Sequence, residues 1–128
     1  MAVELIEDAL RHPNVDYLVQ VLPGGDGVAG YTCYGRAPFT DAAYDLYWIA
    51  LHPAWQGTGA AQYLMAATEA DVRARGGNLL LVETASKPSY ARTRRFYESL
   101  GYRESARIRN YYREGDDKVI YEKRWPGT

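Results

Sequence analysis

The sequence predicts a mixed α/β domain, a sheet with helices packed on its faces. Three observations lead there. Strand-like segments, rich in β-branched and aromatic residues, recur along the whole chain (DYLVQVL, VAGYTCYG, YDLYWIAL, LLLVE and a C-terminal pair). Two other stretches, AAQYLMAATEADVRAR and YARTRRFYESL, carry apolar residues at helical spacing. Finally, 128 residues at 47% apolar and 24% charged content can bury one core and not two. The expected order is helix, strand, strand, strand, helix, strand, helix, strand, strand, in one domain over residues 1–128.

Each element follows from its local pattern. VELIEDALRH sets Val3, Ile6 and Leu10 at helical spacing, and Pro13 blocks continuation. DYLVQVL and VAGYTCYG flank the turn PGGDG, which makes a hairpin. In YDLYWIAL, strict alternation sends Asp45, Tyr47, Ile49 and Leu51 one way and Leu46, Trp48 and Ala50 the other. His52-Pro53 ends that strand, because proline removes a ladder donor. The helix after QGTG is expected to bury Ala61, Leu64, Met65, Thr68 and Val72 and to stop at Gly76-Gly77. LLLVE reads as a central strand covered on both faces. A helix from Tyr90 to Leu100 presents Thr93, Phe96, Tyr97 and Leu100 together. YRESARIRNYY and KVIYEKRW then form a hairpin around EGDD.

Composition removes several function classes. No apolar run approaches the ~20 residues of a membrane span, and the N-terminus lacks the order of a signal peptide, so a cytoplasmic location is expected. Cys33 is the lone cysteine and the histidines are His12 and His52, so no metal site is expected. A net charge of −1 gives no support for nucleic-acid or membrane partners. The charge is uneven, however: residues 1–71 carry nine acidic and two basic side chains, while residues 87–113 carry eight basic ones. An acidic half favours a cationic ligand and a basic half a phosphate.

The segment YDLYWIAL-HPAWQGTGA is the most informative. Gly57 and Gly59 let the backbone turn with its N–H groups exposed, and the following helix adds unsatisfied first-turn donors and the positive end of its dipole. Such a corner binds phosphates. It is neither the nucleotide P-loop, since no Lys-Ser or Lys-Thr pair follows, nor the dinucleotide fingerprint, which needs three glycines and a later acidic residue.

The corner does resemble the acyl-coenzyme A loop of the GCN5-related N-acetyltransferases (GNAT), Gln/Arg-x-x-Gly-x-Gly/Ala, through Gln56, Gly59 and Ala61. RRFYESLGYRES resembles the second signature of that family, Phe-Tyr followed by Leu-Gly-Tyr/Phe, about forty residues downstream with an apolar strand between. The resemblance runs from about Tyr17 to Trp125. It implies a mostly antiparallel sheet with a splayed pair of strands and flanking helices, here shortened at the N-terminus. The family usually begins with a strand and one or two helices, which form one wall of its acceptor site. Only VELIEDALRH precedes DYLVQVL here. Tyr90 also stands where many members carry an asparagine.

What the resemblance implies about residues is specific. Gln56, Gly57, Thr58, Gly59, Ala60, Ala61 and Gln62 would offer backbone N–H groups to the coenzyme diphosphate. Ile49, Ala50 and Leu51 would lie along the pantetheine arm, with an N–H near Leu51 polarising the thioester carbonyl. Tyr97 resembles the tyrosine that protonates the departing thiolate, and a phenol of pKa ~10 is protonated at neutral pH. Glu83 is the leading candidate for general base, with Asp45 and Tyr47 orienting the acceptor amine. Acetyl-CoA is the implied co-substrate, and the implied acceptor is a primary amine of a small molecule, amino acid or peptide. The competing expectation is a catalytically silent acyl-CoA binding module. The edge at DYLVQVL predicts a homodimer. Cys33 is expected in the core and His52 in the turn.

Overall fold

The computed structural model describes residues 17–126, so the helix expected over VELIEDALRH lies outside the described residues. Among the described residues there are six strands: β1 (Leu18–Gly24), β2 (Gly27–Arg36), β3 (Ala43–Leu51), β4 (Leu79–Ala85), β5 (Arg103–Arg113) and β6 (Asp116–Arg124). Helix α1 (Ala60–Ala74) joins β3 to β4, and α2 (Ala91–Ser99) joins β4 to β5. The strands form one sheet in the order β1-β2-β3-β4-β6-β5. Among the described strands only β3 and β4 run parallel, as a connection through a crossover helix requires.

β1 and β2 close through the two residues Gly25 and Asp26, with Gly25 at φ +57, which a side chain would strain. Pro23 therefore lies inside β1, beside a register shift after Leu22, and not in the turn. α1 ends where Gly76 (φ +86) and Gly77 return N–H bonds to Arg73 O (3.0 Å) and Val72 O (2.8 Å).

Both described helices pack on the same face. One cluster unites Tyr34, Tyr44 and Leu46 with Met65 and Val72 of α1, Leu80 and Val82 of β4, Tyr97 of α2, and Val119 and Tyr121 of β6. Met65 and Leu80 are fully enclosed, so truncating either to alanine costs about 2–5 kcal/mol. The buried stripe of α1 starts at Ala60 rather than Ala61, because the helix begins at Ala60 and the i, i+4 row 60, 64, 68 faces the sheet. The expectation that β4 is covered on both faces is corrected too. Leu80 and Val82 are buried, whereas Leu79 and Leu81 are half-buried and Glu83 is exposed, since no described helix lies on their side.

The strict alternation expected along β3 fails in the middle of the strand. β2 pairs Cys33 with Trp48 but Tyr34 with Leu46, so Tyr47 is an extra residue, a bulge in β3. The bulge shifts the phase of the strand. Leu46 and Ile49 both meet the core, while Asp45 and Trp48 line the opposite face.

Candidate active site

The site begins where β3 and β4 part. Their paired residues end at Leu46 and Val82, yet β3 continues to Leu51 and β4 to Ala85. The backbone on either side of this gap has a defined orientation. His52 N donates to Ala29 O at 2.7 Å, toward β2; alternation then turns the peptide groups of Leu51 and Ile49 into the gap. Ser86 N donates to Asp117 O at 3.0 Å, toward β6, so the peptides of Ala85 and Glu83 face the gap from the other side. Arg94 Nη1 donates to Ala85 O (2.8 Å) and Lys87 O (3.0 Å), which makes this arginine a structural brace.

On the helix-covered face the gap opens into a cleft of about 500 Å³. Ile49 and Leu51 form one wall, Gln56, Gly57, Gly59, Ala61 and Gln62 the end at α1, and Ser89, Arg92, Thr93, Phe96 and Tyr97 the wall at α2. The corner is stripped for anion binding. Gly57 and Gly59 hold φ +75 and +88, and a Cβ on either would meet no atom within 4 Å. α1 carries no acidic side chain in its first turn. Among the described residues no protein acceptor takes the N–H of Gly57, Thr58, Gly59, Ala61 or Gln62. Two of the seven expected donors differ: Gln56 N donates to Pro53 O (3.2 Å), and Ala60 N lies 3.4 Å from Thr58 Oγ1. Gln56 therefore reaches the cleft with its side chain only.

Tyr97 is buried among aromatic rings, with Phe96, Tyr102 and Tyr121 at centroid distances of 5.4, 5.9 and 6.3 Å. Burial pushes its phenol up to about 12. Its hydroxyl has no protein partner among the described residues, and the residue lines the cleft.

The opposite face of the same gap holds a second pocket of about 320 Å³, lined by Asp45, Leu46, Tyr47, Trp48, Leu81, Glu83 and Tyr112. Glu83, Asp45 and Tyr47 thus sit together, apart from the cleft that holds Tyr97. Asp45 is half-buried, and burial first, then the nearby Glu83 carboxylate, holds its carboxyl above the usual range. Glu83 Oε2 lies 3.2 Å from Lys118 Nζ, and that ammonium sits 4.5 Å from the centre of the Tyr111 ring.

Three predicted residues do not line the cleft. Ala50 pairs with Tyr31 of β2, Ala60 is buried under the helix, and Thr58 turns its hydroxyl to Trp55 O. Cys33 is buried, and His52 accepts from Ala54 N through Nδ1 at 3.1 Å, capping the turn. Sequence reasoning missed Trp48, Leu81, Tyr112 and Lys118. The β3 bulge hid the first. The register shift of β5 around Asn110 (φ +57) hid which residues of the final hairpin reach the pocket.

An open sheet whose parallel strands part over a helix N-terminus defines a class of α/β protein that seats an extended, anion-headed ligand between its strands. Comparison with known proteins narrows the class. The acetyltransferase (GNAT) domain profile matches residues 16–104. A GNAT-family protein from Desulfovibrio desulfuricans is 44% identical over 96% of this chain and 78% of its own, with a TM-score of 0.92. The ribosomal-protein-S18-alanine N-acetyltransferase of Escherichia coli shares the fold at 23% identity, over 92% of this chain and 75% of its own (TM-score 0.75). So does a Salmonella typhimurium protein solved with its cofactor acetyl-CoA, at 19% identity, over 100% of this chain and 76% of its own (TM-score 0.81). Among curated proteins none matches the sequence. The chain belongs to the GNAT acetyltransferase family.

Proposed function

We propose that the protein transfers an acetyl group from acetyl-CoA directly to a primary amine. The observation that carries this reading is the single gap between β3 and β4, which opens to a donor-lined cleft on one face and a carboxylate-bearing pocket on the other. The cleft fits the coenzyme: the free amides of Gly57, Thr58, Gly59, Ala61 and Gln62 lie at the corner where a diphosphate would sit, and two glycines leave room that a Cβ would fill. When bound, acetyl-CoA supplies an activated thioester.

The residues of the chain do the rest. Ile49 and Leu51 present their peptide groups to the arm as a neighbouring strand would, which orients it. An N–H at Leu51 is placed to stabilise charge on the carbonyl oxygen. The phenol of Tyr97, held protonated by burial, donates to the sulfur that leaves. On the acceptor side the Asp45–Glu83 pair binds an ammonium and removes its proton, and Tyr47 and Trp48 enclose the amine.

The acceptor is proposed to be a small amine, an amino acid or a peptide terminus, in keeping with two carboxylates that line the pocket and one lysine paired with Glu83 beside it. A screen of amines with acetyl-CoA, following thiol release, tests the reading. Coenzyme that binds without acetylating any amine would establish a binding module instead. We also propose a cytoplasmic homodimer that needs no metal and no nucleic acid, paired through the sheet edge at β1, whose Val21 is 48% exposed. Sedimentation at the monomer mass would refute the pairing.

A further inference from the structure

The final hairpin fixes a cation beside the acceptor pocket. Tyr112 of β5 lines that pocket, and Tyr111 packs edge-on against it, with ring centroids 4.9 Å apart at 83°. Lys118 Nζ sits 4.5 Å from the centre of the Tyr111 ring and 3.2 Å from Glu83 Oε2. Lys118 belongs to β6, where it stands opposite Ala85 of β4 and Ile108 of β5, so its stem is flanked by a strand on either side. Its side chain is 16% exposed, against 54% for Glu83, which makes it the more enclosed member of the pair. Burial pulls the Lys118 ammonium down, but the Glu83 carboxylate outweighs it and raises the group above its usual range, so it is charged at neutral pH.

The charge that a ligand meets therefore differs from the charge of the lining alone. Asp45 and Glu83 are the two acids of the pocket. Nearby acids of β6 are engaged elsewhere, Glu122 with Arg124 at 2.6 Å and Asp117 with Arg107 at 3.1 Å. Lys118 offsets Glu83, whereas Asp45 has no hydrogen-bond or ion-pair partner among the described residues. One carboxylate is left unmatched, next to a cation that the Tyr111 ring and Glu83 hold in place. Resting on the acetyltransferase reading, we propose that Lys118 is a specificity-determining residue, which confines the acceptor to amines with a single ammonium group and turns away short diamines. In a pocket of about 320 Å³ a second ammonium has no place remote from Lys118, and like charges at short range in a half-buried site repel strongly. Selectivity of this kind comes from an unfavourable contact with the wrong ligand. Lys118 exchanges no proton and forms no bond in this role.

The test compares propylamine with 1,3-diaminopropane, which share a carbon chain and differ by one ammonium group. Wild type, Lys118→Gln and Lys118→Arg are assayed for kcat/KM on both amines at saturating acetyl-CoA. Wild type should favour propylamine, Lys118→Gln should move the ratio about tenfold or more toward the diamine, and Lys118→Arg, which keeps the charge, should hold the wild-type ratio. Affinity for coenzyme A should be the same in all three, which a merely structural role for the lysine would not give. A ratio that does not move in Lys118→Gln, or a wild type that prefers the diamine, overturns the proposal. Calorimetric titration of both amines into the protein saturated with coenzyme A needs no turnover. A binding preference that shifts in Lys118→Gln while no amine is acetylated would sink the acetyltransferase reading and leave the selectivity standing. Binding of both amines alike in wild type and Lys118→Gln, or of neither, overturns the selectivity itself.

Discussion

Replacing Gly59 by alanine separates the ligand-binding corner from the fold that carries it. Gly59 sits at φ +88, where a Cβ is disfavoured by about 1–2 kcal/mol, and the added methyl meets no atom within 4 Å. The cost to stability is therefore backbone strain alone, with each kcal/mol lowering Tm by about 4 °C in a domain of this size. Gly115, at the tip of the β5–β6 hairpin, is a matched control: φ +80, and again nothing within 4 Å. Gly59→Ala and Gly115→Ala should lose similar stability. Only Gly59→Ala should disturb the amides of Gly57 to Ala61, and losing one hydrogen bond to a charged oxygen is worth about 1.5–3 kcal/mol. Calorimetric titration with coenzyme A should show Kd raised about ten- to hundredfold in Gly59→Ala and unchanged in Gly115→Ala. Equal affinities would remove the corner from the binding site, and equal losses would mean that stability, not contact, governs binding.

Other consequences are as direct. Tyr97→Phe should lower kcat about a hundredfold or more while coenzyme affinity holds, and stopped-flow thiol release would show it. Because burial holds the Tyr97 phenol at about 12, Tyr97 itself should impose no fall in rate between neutral pH and about pH 10. Thr32 and Thr68 are fully buried with their hydroxyls 2.6 Å apart, and Thr68 donates to Leu64 O at 2.8 Å, so Thr32 must be the donor between them. Denaturant unfolding should then find Thr68→Val costing about 1–3 kcal/mol, since it strands a buried donor, and Thr32→Val costing less. Asn110 N first, and then the side chain of Arg107, holds the Asp117 carboxyl below its ordinary range, and the same Arg107 side chain holds that of Glu104 down. That contribution is complete above the unfolded values near 4.5 and 3.8 and fades as pH falls through the lower folded ones, so Arg107→Gln should flatten the acid limb of stability.

Much of this was readable in the chain because it rests on local chemistry. Gly57 and Gly59 ahead of an apolar-periodic stretch specify a strand-turn-helix corner, and the Phe96-Tyr97 pair on the next helix follows from 3.6-residue spacing. What escaped depended on register. The extra residue at Tyr47 is invisible to a period-two count, so Leu46 and Trp48 were assigned one face when they take opposite ones. Lys118 reaches Glu83 only because β6 inserts between β4 and β5, and no spacing within KVIYEKRW reveals a partner 35 positions upstream. The ownership of backbone donors was also tertiary: Gln56 reads as one of a row of free amides until the turn closes on Pro53.

Tyr47 gives β3 one more residue than β2 needs, and the ladder resumes directly on either side of it, with Leu46 opposite Tyr34 and Trp48 opposite Cys33. Deleting that residue would close the ladder without turning its neighbours: Leu46 and Ile49 would stay toward the core and Trp48 on the opposite face. Losing a position after Trp48, with the bulge kept, would by contrast turn the later side chains of the strand to the other face. Tyr47 is therefore the place where β3 can change length and still present the same residues to each side, because the pairing already skips it.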